Sequence, residues 1–416
     1  MSRIDGMIQQ LCPDGVEYKK LGEIGTFTRG SGIQKKDFVE DGKPCIHYGQ
    51  VYTYYGISAT VTKSFISEEL YAGRKKANKG NLVIATTSEN EEDVCKCVAW
   101  LGDEPCAVSG DAYIFSHDQN PKYVAYLFCS KQFQEQKKRY ITGTKVLRVS
   151  GDSMAKIELP FPPLEIQREI VRVLDSFAEL EAELEAELEA RKAQYAYYRD
   201  KLLAFDNIEM QRERELQWLT LGEVGHFTRG AGIQKKEFVD TGMPCIHYGQ
   251  IYTRFAMTTD EPISFISEER YERAKKALPG DIIIAITSEN YEDICTPLVW
   301  EGVIPVAISG HSCAFRTKLN SRYVAYWMTS EAFRVQKRKI AKGTKVIEAK
   351  PDDLARILIP VPPLSIQQSI VDILDRFDAL TTSLTDGLPA EIEARRKQYE
   401  YYRDMLLNFP RKEAAA

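Results

Sequence analysis

Two long stretches of the chain place apolar side chains at steps of three and four. In the first, Ile166, Ile170, Val173, Phe177, Leu180, Leu184, Leu188, Tyr195, Tyr198, Leu202 and Phe205 form one stripe, the signature of an amphipathic helix. The second repeats it with Ile366, Ile370, Ile373, Phe377, Leu380, Leu384, Leu388, Ile392, Tyr399, Tyr402, Leu406 and Phe409. About 40 residues at 1.5 Å rise make a rod roughly 60 Å long. A stripe sustained over so many turns needs a partner, and the simplest partner for each rod is the other. The expected packing set is Ile170, Phe177, Leu180, Leu184, Leu188 and Tyr198 on one rod, with Ile370, Phe377, Leu380, Leu384 and Tyr402 on the other. Pro160-Phe161-Pro162-Pro163-Leu164 and Pro360-Val361-Pro362-Pro363-Leu364 end whatever precedes each rod. Gly387-Leu388-Pro389 is expected to kink or break the second.

Before each rod the pattern changes to short apolar runs. Asn81–Thr86 and Asp281–Ile286 follow glycines and read as buried strands. Pro121–Gln136 reads as a helix, and Met154–Leu159 and Leu354–Ile359 as closing strands. These two regions are copies. Thr26 to Lys36 returns as His226 to Lys236 with few changes, Pro44 to Gln50 returns as Pro244 to Gln250, and about half the positions from Leu21 to Leu180 match their mates 200 residues on. A period this long marks a duplicated domain and not a solenoid. The expected organisation is an N-terminal segment (1–20) serving as a linker, an α/β (α+β) domain (21–160), a central helix (161–205), a linker (206–220), a second such domain (221–360), a distal helix (361–410) and a tail (411–416).

Charge refines this picture. The net charge is −5, but the acidic excess falls on the rods and linker, leaving the two domains near neutral with local basic clusters. No apolar run reaches the ~20 residues that span a bilayer, and Met1-Ser2-Arg3-Ile4-Asp5 has no signal-peptide pattern, so a cytoplasmic protein is expected. The nine cysteines form neither a disulfide framework nor metal-ligand spacings, and no metal is expected. Nor does either domain hold a persuasive catalytic constellation: Pro160-Phe161-Pro162-Pro163 lacks the Asn or Asp of amino-methyltransferases, and Glu135-x-Lys137 becomes Val335-x-Lys337 in the second copy.

The residues that remain suit nucleic acid. Arg29, Gln34, Lys35 and Lys36, with Arg229, Gln234, Lys235 and Lys236, put a guanidinium, an amide and two ammoniums on a glycine-rich loop expected to be flexible. Lys137, Lys138 and Lys145, with Lys337, Arg338 and Lys345, form a second basic cluster in each copy. His47, Tyr48 and Gln50, with His247, Tyr248 and Gln250, are base-reader types in one short segment; a strand with satisfied polar groups is the structural alternative. Ser88 and Asn90, with Ser288 and Asn290, follow the buried strand, where a turn role competes with base reading.

Two variable-type domains, each followed by Pro-x-Pro-Pro-Leu and a long helix ending in a Tyr-x-x-Tyr-Arg-Asp segment (Tyr195 to Asp200, Tyr399 to Asp404), make the chain resemble the specificity subunit of type I restriction-modification systems. The resemblance covers nearly the whole chain. It implies two target-recognition domains separated by two long antiparallel coiled-coil helices in pseudo-two-fold symmetry, each domain reading half of a bipartite DNA site. It further implies that the helices dock two modification (methyltransferase) subunits, that restriction subunits join the full complex, and that S-adenosylmethionine, ATP and magnesium belong to those partners. A near-palindromic target follows from the symmetry, with any asymmetry between half-sites expected from the stretches where the copies differ most, 54–63 against 254–263 and 111–120 against 311–320. The repeats Ala178-Glu179-Leu180-Glu181, Ala182-Glu183-Leu184-Glu185 and Ala186-Glu187-Leu188-Glu189 suggest a ruler for the spacer between half-sites. The alternative is a tandem-domain coiled-coil scaffold that holds other proteins without binding DNA.

Overall fold

The structure, a computed structural model, describes residues 2–205, 216–382 and 387–412. The chain divides into two compact units, Met1–Glu183 with Glu393–Ala416, and Leu184–Ile392.

In the first unit a five-stranded sheet runs in the order Gly25–Arg29, Ala112–His117, Leu82–Ala85, Cys97–Trp100, Ser58–Ala59. Its central strand explains the unbroken apolar run read from the sequence. Leu82 and Ile84 point into one cluster, with Phe115, Tyr123 and Leu127. Val83 and Ala85 point into another, with Ile46, Trp100 and Val108. Side chains alternate with period two, so a strand covered on both faces is apolar throughout. The second sheet orders Phe38–Val39, Ser64–Ile66, Lys43–Ile46, Cys106–Val108, Lys76–Ala77. The second unit repeats this plan, except that its second sheet has four strands and keeps only a single bridge, Val239 to Phe265, in place of the fifth; Ile282 and Ile284 face one cluster and Ile283 and Ala285 the other.

Several expectations need correction. The segment before residue 21 is no linker: Ser2–Leu11 is a helix, Ile4 and Val16 are buried in the first core, and Tyr18–Lys20 pairs antiparallel with Glu158–Pro160. The end of the chain meets it there. The Val16 amide donates to the Pro410 carbonyl at 2.8 Å and the Lys412 amide to the Val16 carbonyl at 3.0 Å. Likewise Gln217–Thr220, expected in a linker, is a strand on Leu358–Val361; 206–215 lie outside the described residues. The helix expected over Pro121–Gln136 is two, Pro121–Cys129 and Lys131–Lys137. Between them Ser130 is extended and caps the second, accepting from the Phe133 amide, as N-cap serines do. Met154 and Leu354 end short helical turns, and the closing strands begin only at Glu158 and Leu358.

The central rod is one helix, Leu164–Ala204, of 41 residues. The distal stretch is not continuous: Leu364–Thr382 and Leu388–Leu406 are separate helices of 19 residues each. The second begins beside Gly387, with Pro389 in its first turn, where a missing amide proton costs nothing.

Within the first unit, the first half of the central helix packs on Leu388–Leu406. Phe177 stacks on Tyr402 with ring centroids 5.4 Å apart, and Arg396 donates to Glu181 at 2.9 Å. Rising numbers face falling ones, so the pair is antiparallel. Within the second unit, Tyr198 stacks on Phe377 at 6.1 Å. Ile170 and Ile370 are buried, while Leu180, Leu184 and Leu188 are half-buried. Leu380 departs from the expected set: it is 55% exposed, on the outer face of its helix. Leu384 lies outside the described residues.

Each globular body is gripped twice by helices. In the first unit Gln167 accepts from the Asn120 amide at 3.0 Å, and Asp175 accepts from Tyr126 and Lys122, both at 2.8 Å. From the distal helix, Asp404 accepts from the Lys131 amide at 3.0 Å, beside Arg403, whose guanidinium lies over Tyr399 at 5.8 Å. The second unit has the same latches in Gln367, Asp375 and Asp200, the last accepting from the Glu331 amide at 3.1 Å. The Tyr-x-x-Tyr-Arg-Asp motif is therefore a docking device. Its Asp serves the exposed amides and positive end of a short helix.

Candidate nucleic-acid interface

The first sheet ends its outer strand at Arg29. The next residue must be glycine, since a Cβ on Gly30 would stand 2.1 Å from the Ser109 carbonyl oxygen. The segment then bridges strand-like to Ser109 and closes as a short helical turn, Lys35–Asp37. The expectation of a flexible loop is thus corrected: this is an ordered ledge, with Gln34, Lys35 and Lys36 exposed on it. The second copy matches, with Gly230 equally tight against Ser309 and Gln234, Lys235 and Lys236 exposed.

On that ledge Arg29 donates from Nε to the Gly110 carbonyl at 2.8 Å, with Nη2 3.9 Å from Asp111. His47 caps the helix Tyr48–Thr53, its Nδ1 accepting from the Gly49 amide at 3.3 Å. Burial, then the charge of Lys35, hold its pKa below the usual histidine value, against the pull of Asp111. A neutral ring that accepts at Nδ1 carries its proton on Nε2. Tyr48 lies against it, ring centroids 4.6 Å apart, and its amide donates to Ser109 Oγ at 2.8 Å. Arg29, Lys35, His47, Tyr48 and Asp111 are thereby brought into one cluster. The strand Thr87–Ser88 adjoins it, pairing with Leu147–Arg148, so the turn carrying exposed Lys145 stands beside it. Gly143 makes that turn at φ +100°, a conformation that favours glycine. The second unit assembles Arg229, Lys235, His247, Tyr248 and Lys345 in the same way.

Other candidates are engaged elsewhere. Lys137 is 1% exposed and donates to the Glu91 and Val94 carbonyls and to Gln134; burial lowers its pKa. Lys337 likewise holds the Glu292 and Ile294 carbonyls. Both ammoniums are turned inward, tying a loop to a helix away from solvent. Asn90 closes a turn with Asp93 through both its amide atoms, each at 2.8 Å, and Ser88 accepts from the Asn90 amide. Asn290 and Ser288 do the same. Gln50 bonds the His47 amide and Ser64, and Gln250 the His247 amide and Ser264, so these amides brace the cluster from behind. Lys138, though exposed, opens on a cleft lined by Asn90, Glu400 and Arg403. Arg338 is exposed on the helix Glu331–Ile340, the mate of the one that precedes Lys138.

Reasoning from residue types missed Thr87 and Arg148 with their mates Thr287 and Glu348. Asp111 and His311 open one of the two stretches, 111–120 against 311–320, where divergence between otherwise similar copies predicts half-site asymmetry; the other is 54–63 against 254–263. Among the described residues no group of three or more His, Cys, Asp or Glu could hold a metal, and no helix is long and apolar enough to cross a membrane.

The family model described as Type I restriction modification DNA specificity domain matches residues 13–190 and again 213–394. The chain belongs to that family. The specificity chain is 37% identical over 279 residues to the EcoR124I/EcoR124II specificity subunit of Escherichia coli, covering 64% of itself and 67% of that relative. Over 317 residues it is 26% identical to the type I restriction enzyme MpnII specificity subunit of Mycoplasma pneumoniae, covering 61% of itself and 89% of the relative. A solved structure of a type I R-M system, concerned with complex assembly and conformational transition, contains a chain that matches with a TM-score of 0.65 at 18% identity, over 95% of this chain and 98% of that one. At that identity the likeness shows the fold.

Proposed function

We propose that each unit reads one half of a bipartite, near-palindromic duplex site through its cluster. Lys35, Lys36 and Lys145, with Lys235, Lys236 and Lys345, contact phosphates, and the Tyr48 and Tyr248 clusters face the bases. The helices dock two modification subunits, restriction subunits complete the complex, and the reaction runs in the cytoplasm. The specificity chain is not itself catalytic; S-adenosylmethionine, ATP and magnesium serve the partner subunits. One observation carries this reading: in a family of DNA specificity domains, the same cluster of exposed cations beside half-buried aromatic rings is built twice, on an ordered ledge. Ordered donors lose less conformational freedom on binding than mobile ones.

The test is a salt titration of the complex on duplex DNA. Each phosphate contact contributes about 0.9 to the slope of log K against log salt. The variant K35A/K36A/K235A/K236A should lower the slope by about 3 to 4 and leave the melting temperature unchanged. Lys137→Met, at a buried cation, should lower the melting temperature and leave the slope alone. A quadruple variant with the wild-type slope would overturn the assignment.

A further inference from the structure

The two clusters share nearly every side chain but exchange acid and base at two positions. In each, the arginine at the strand end reaches a glycine carbonyl, Arg29 to Gly110 at 2.8 Å and Arg229 to Gly310 at 3.2 Å. In each, one threonine sits between the two variable positions. Thr87 Oγ1 donates to Asp111 at 3.4 Å, and Arg148 is its partner across the strands. Thr287 Oγ1 bonds His311 Nδ1 at 3.1 Å, and Glu348 is its partner across the strands. The arginine keeps a carboxylate throughout, but from opposite sides: Asp111 at 3.9 Å in one unit, Glu348 at 3.0 Å in the other.

The two changes compensate each other. Losing Asp111 alone would leave the arginine unpaired, and gaining Glu348 alone would set two carboxylates about it. The exposed surface that results is inverted. Beside Thr87 stands Arg148, exposed and without an ion pair among the described residues. At the same place beside Thr287 stands a carboxylate, and the position of Asp111 holds an imidazole lying 5.0 Å from the Tyr248 ring. A guanidinium matches the two acceptors of guanine, whereas a carboxylate accepts from the amino group of cytosine.

We propose that positions 111 and 148, with 311 and 348, decide where the two half-sites differ: the unit with Arg148 selects guanine at the place where the unit with Glu348 selects cytosine. This rests on the DNA-reading function above. The experiment is selection from a randomised duplex library by the specificity chain complexed with its modification subunits, for the wild type, D111H/R148E, H311D/E348R and R148A. Each double variant should carry its own half-site to the other unit's base at one position, by about tenfold or more, leaving the other half unchanged as an internal control. R148A, at an exposed side chain, should lose the guanine preference by a similar factor with no change in melting temperature, and it keeps the proposal testable if a double variant misfolds. Wild-type half-sites that are identical, or well-folded variants that keep wild-type selection, would overturn it. A wild type that selects no sequence at all would instead sink the DNA-reading function.

Discussion

At the scale of single residues, the chain repeats environments more faithfully than types, which gives natural controls. His117 accepts from the Gln119 amide at Nδ1, while its Nε2 is shut off from solvent without a hydrogen-bond partner. Burial pushes its pKa down to about 4; the mate is Thr317, which donates to the Val224 carbonyl at 2.8 Å. The unfolded chain binds a proton near pH 6.5 and the folded chain only near 4. Stability is therefore full above 6.5 and declines as pH falls from there toward 4, by on the order of 3 kcal/mol in the limit. His117→Thr should flatten that decline, measured as melting temperature against pH between 7 and 4; an unchanged profile would refute the assignment. The same scale shows what a sequence hides. Lys137, Asn90 and Gln50 have the chemistry of readers, and a string of residues states charge and hydrogen-bonding capacity but not direction. Only the fold turns the Lys137 ammonium inward onto two carbonyls and leaves Lys35 and Lys36 on the ledge.

At the scale of elements, the helices and buried strands were legible because periodicity reports burial directly. The ends of elements were not. Nothing in the apolar pattern distinguishes a helix that breaks at Ser130 from one that runs on, since a serine cap is a local hydrogen bond, and no stripe announces that Ser2–Leu11 folds onto a core built from residues far along the chain. The repeated Tyr-x-x-Tyr-Arg-Asp segment was visible as a repeat and opaque in purpose. Its function as a latch predicts a cost. Asp404→Ala removes the acceptor of the Lys131 amide and the partner of Arg403, whose side chain is only 15% exposed. Leaving that charge unpaired should destabilise the first unit by about 2 kcal/mol, a drop in melting temperature of roughly 4 to 8 °C. Asp404→Asn keeps a carbonyl acceptor and should lose about half as much. Calorimetry of the two variants decides: equal losses would mean that charge alone matters, and no loss that the latch is ornamental.

At the scale of the molecule, duplication was the plainest signal in the chain, and it gives the central helix a second reading beyond packing. Its three Ala-Glu-Leu-Glu repeats lie inside one unbroken helix, Leu164–Ala204, and their leucines are only half-buried, so no tightly interlocked core depends on their number. Removing four residues shortens a helix by about 6 Å and rotates the two flanking segments against each other by about 40°. B-DNA advances about 3.4 Å per base pair with about 10.5 pairs per turn, near 34° each, so one repeat and one base pair rotate by nearly the same angle. Deletion of Ala182–Glu185 should therefore keep both half-sites and shorten the preferred spacer by one base pair, and duplication should lengthen it by one. Selection from a library with fixed half-sites and randomised spacer length measures this. A variant that holds the original spacer would show that the helix sets only which partners dock and not how far apart the bases are read; a variant that loses both half-sites would show that the repeats support the fold instead.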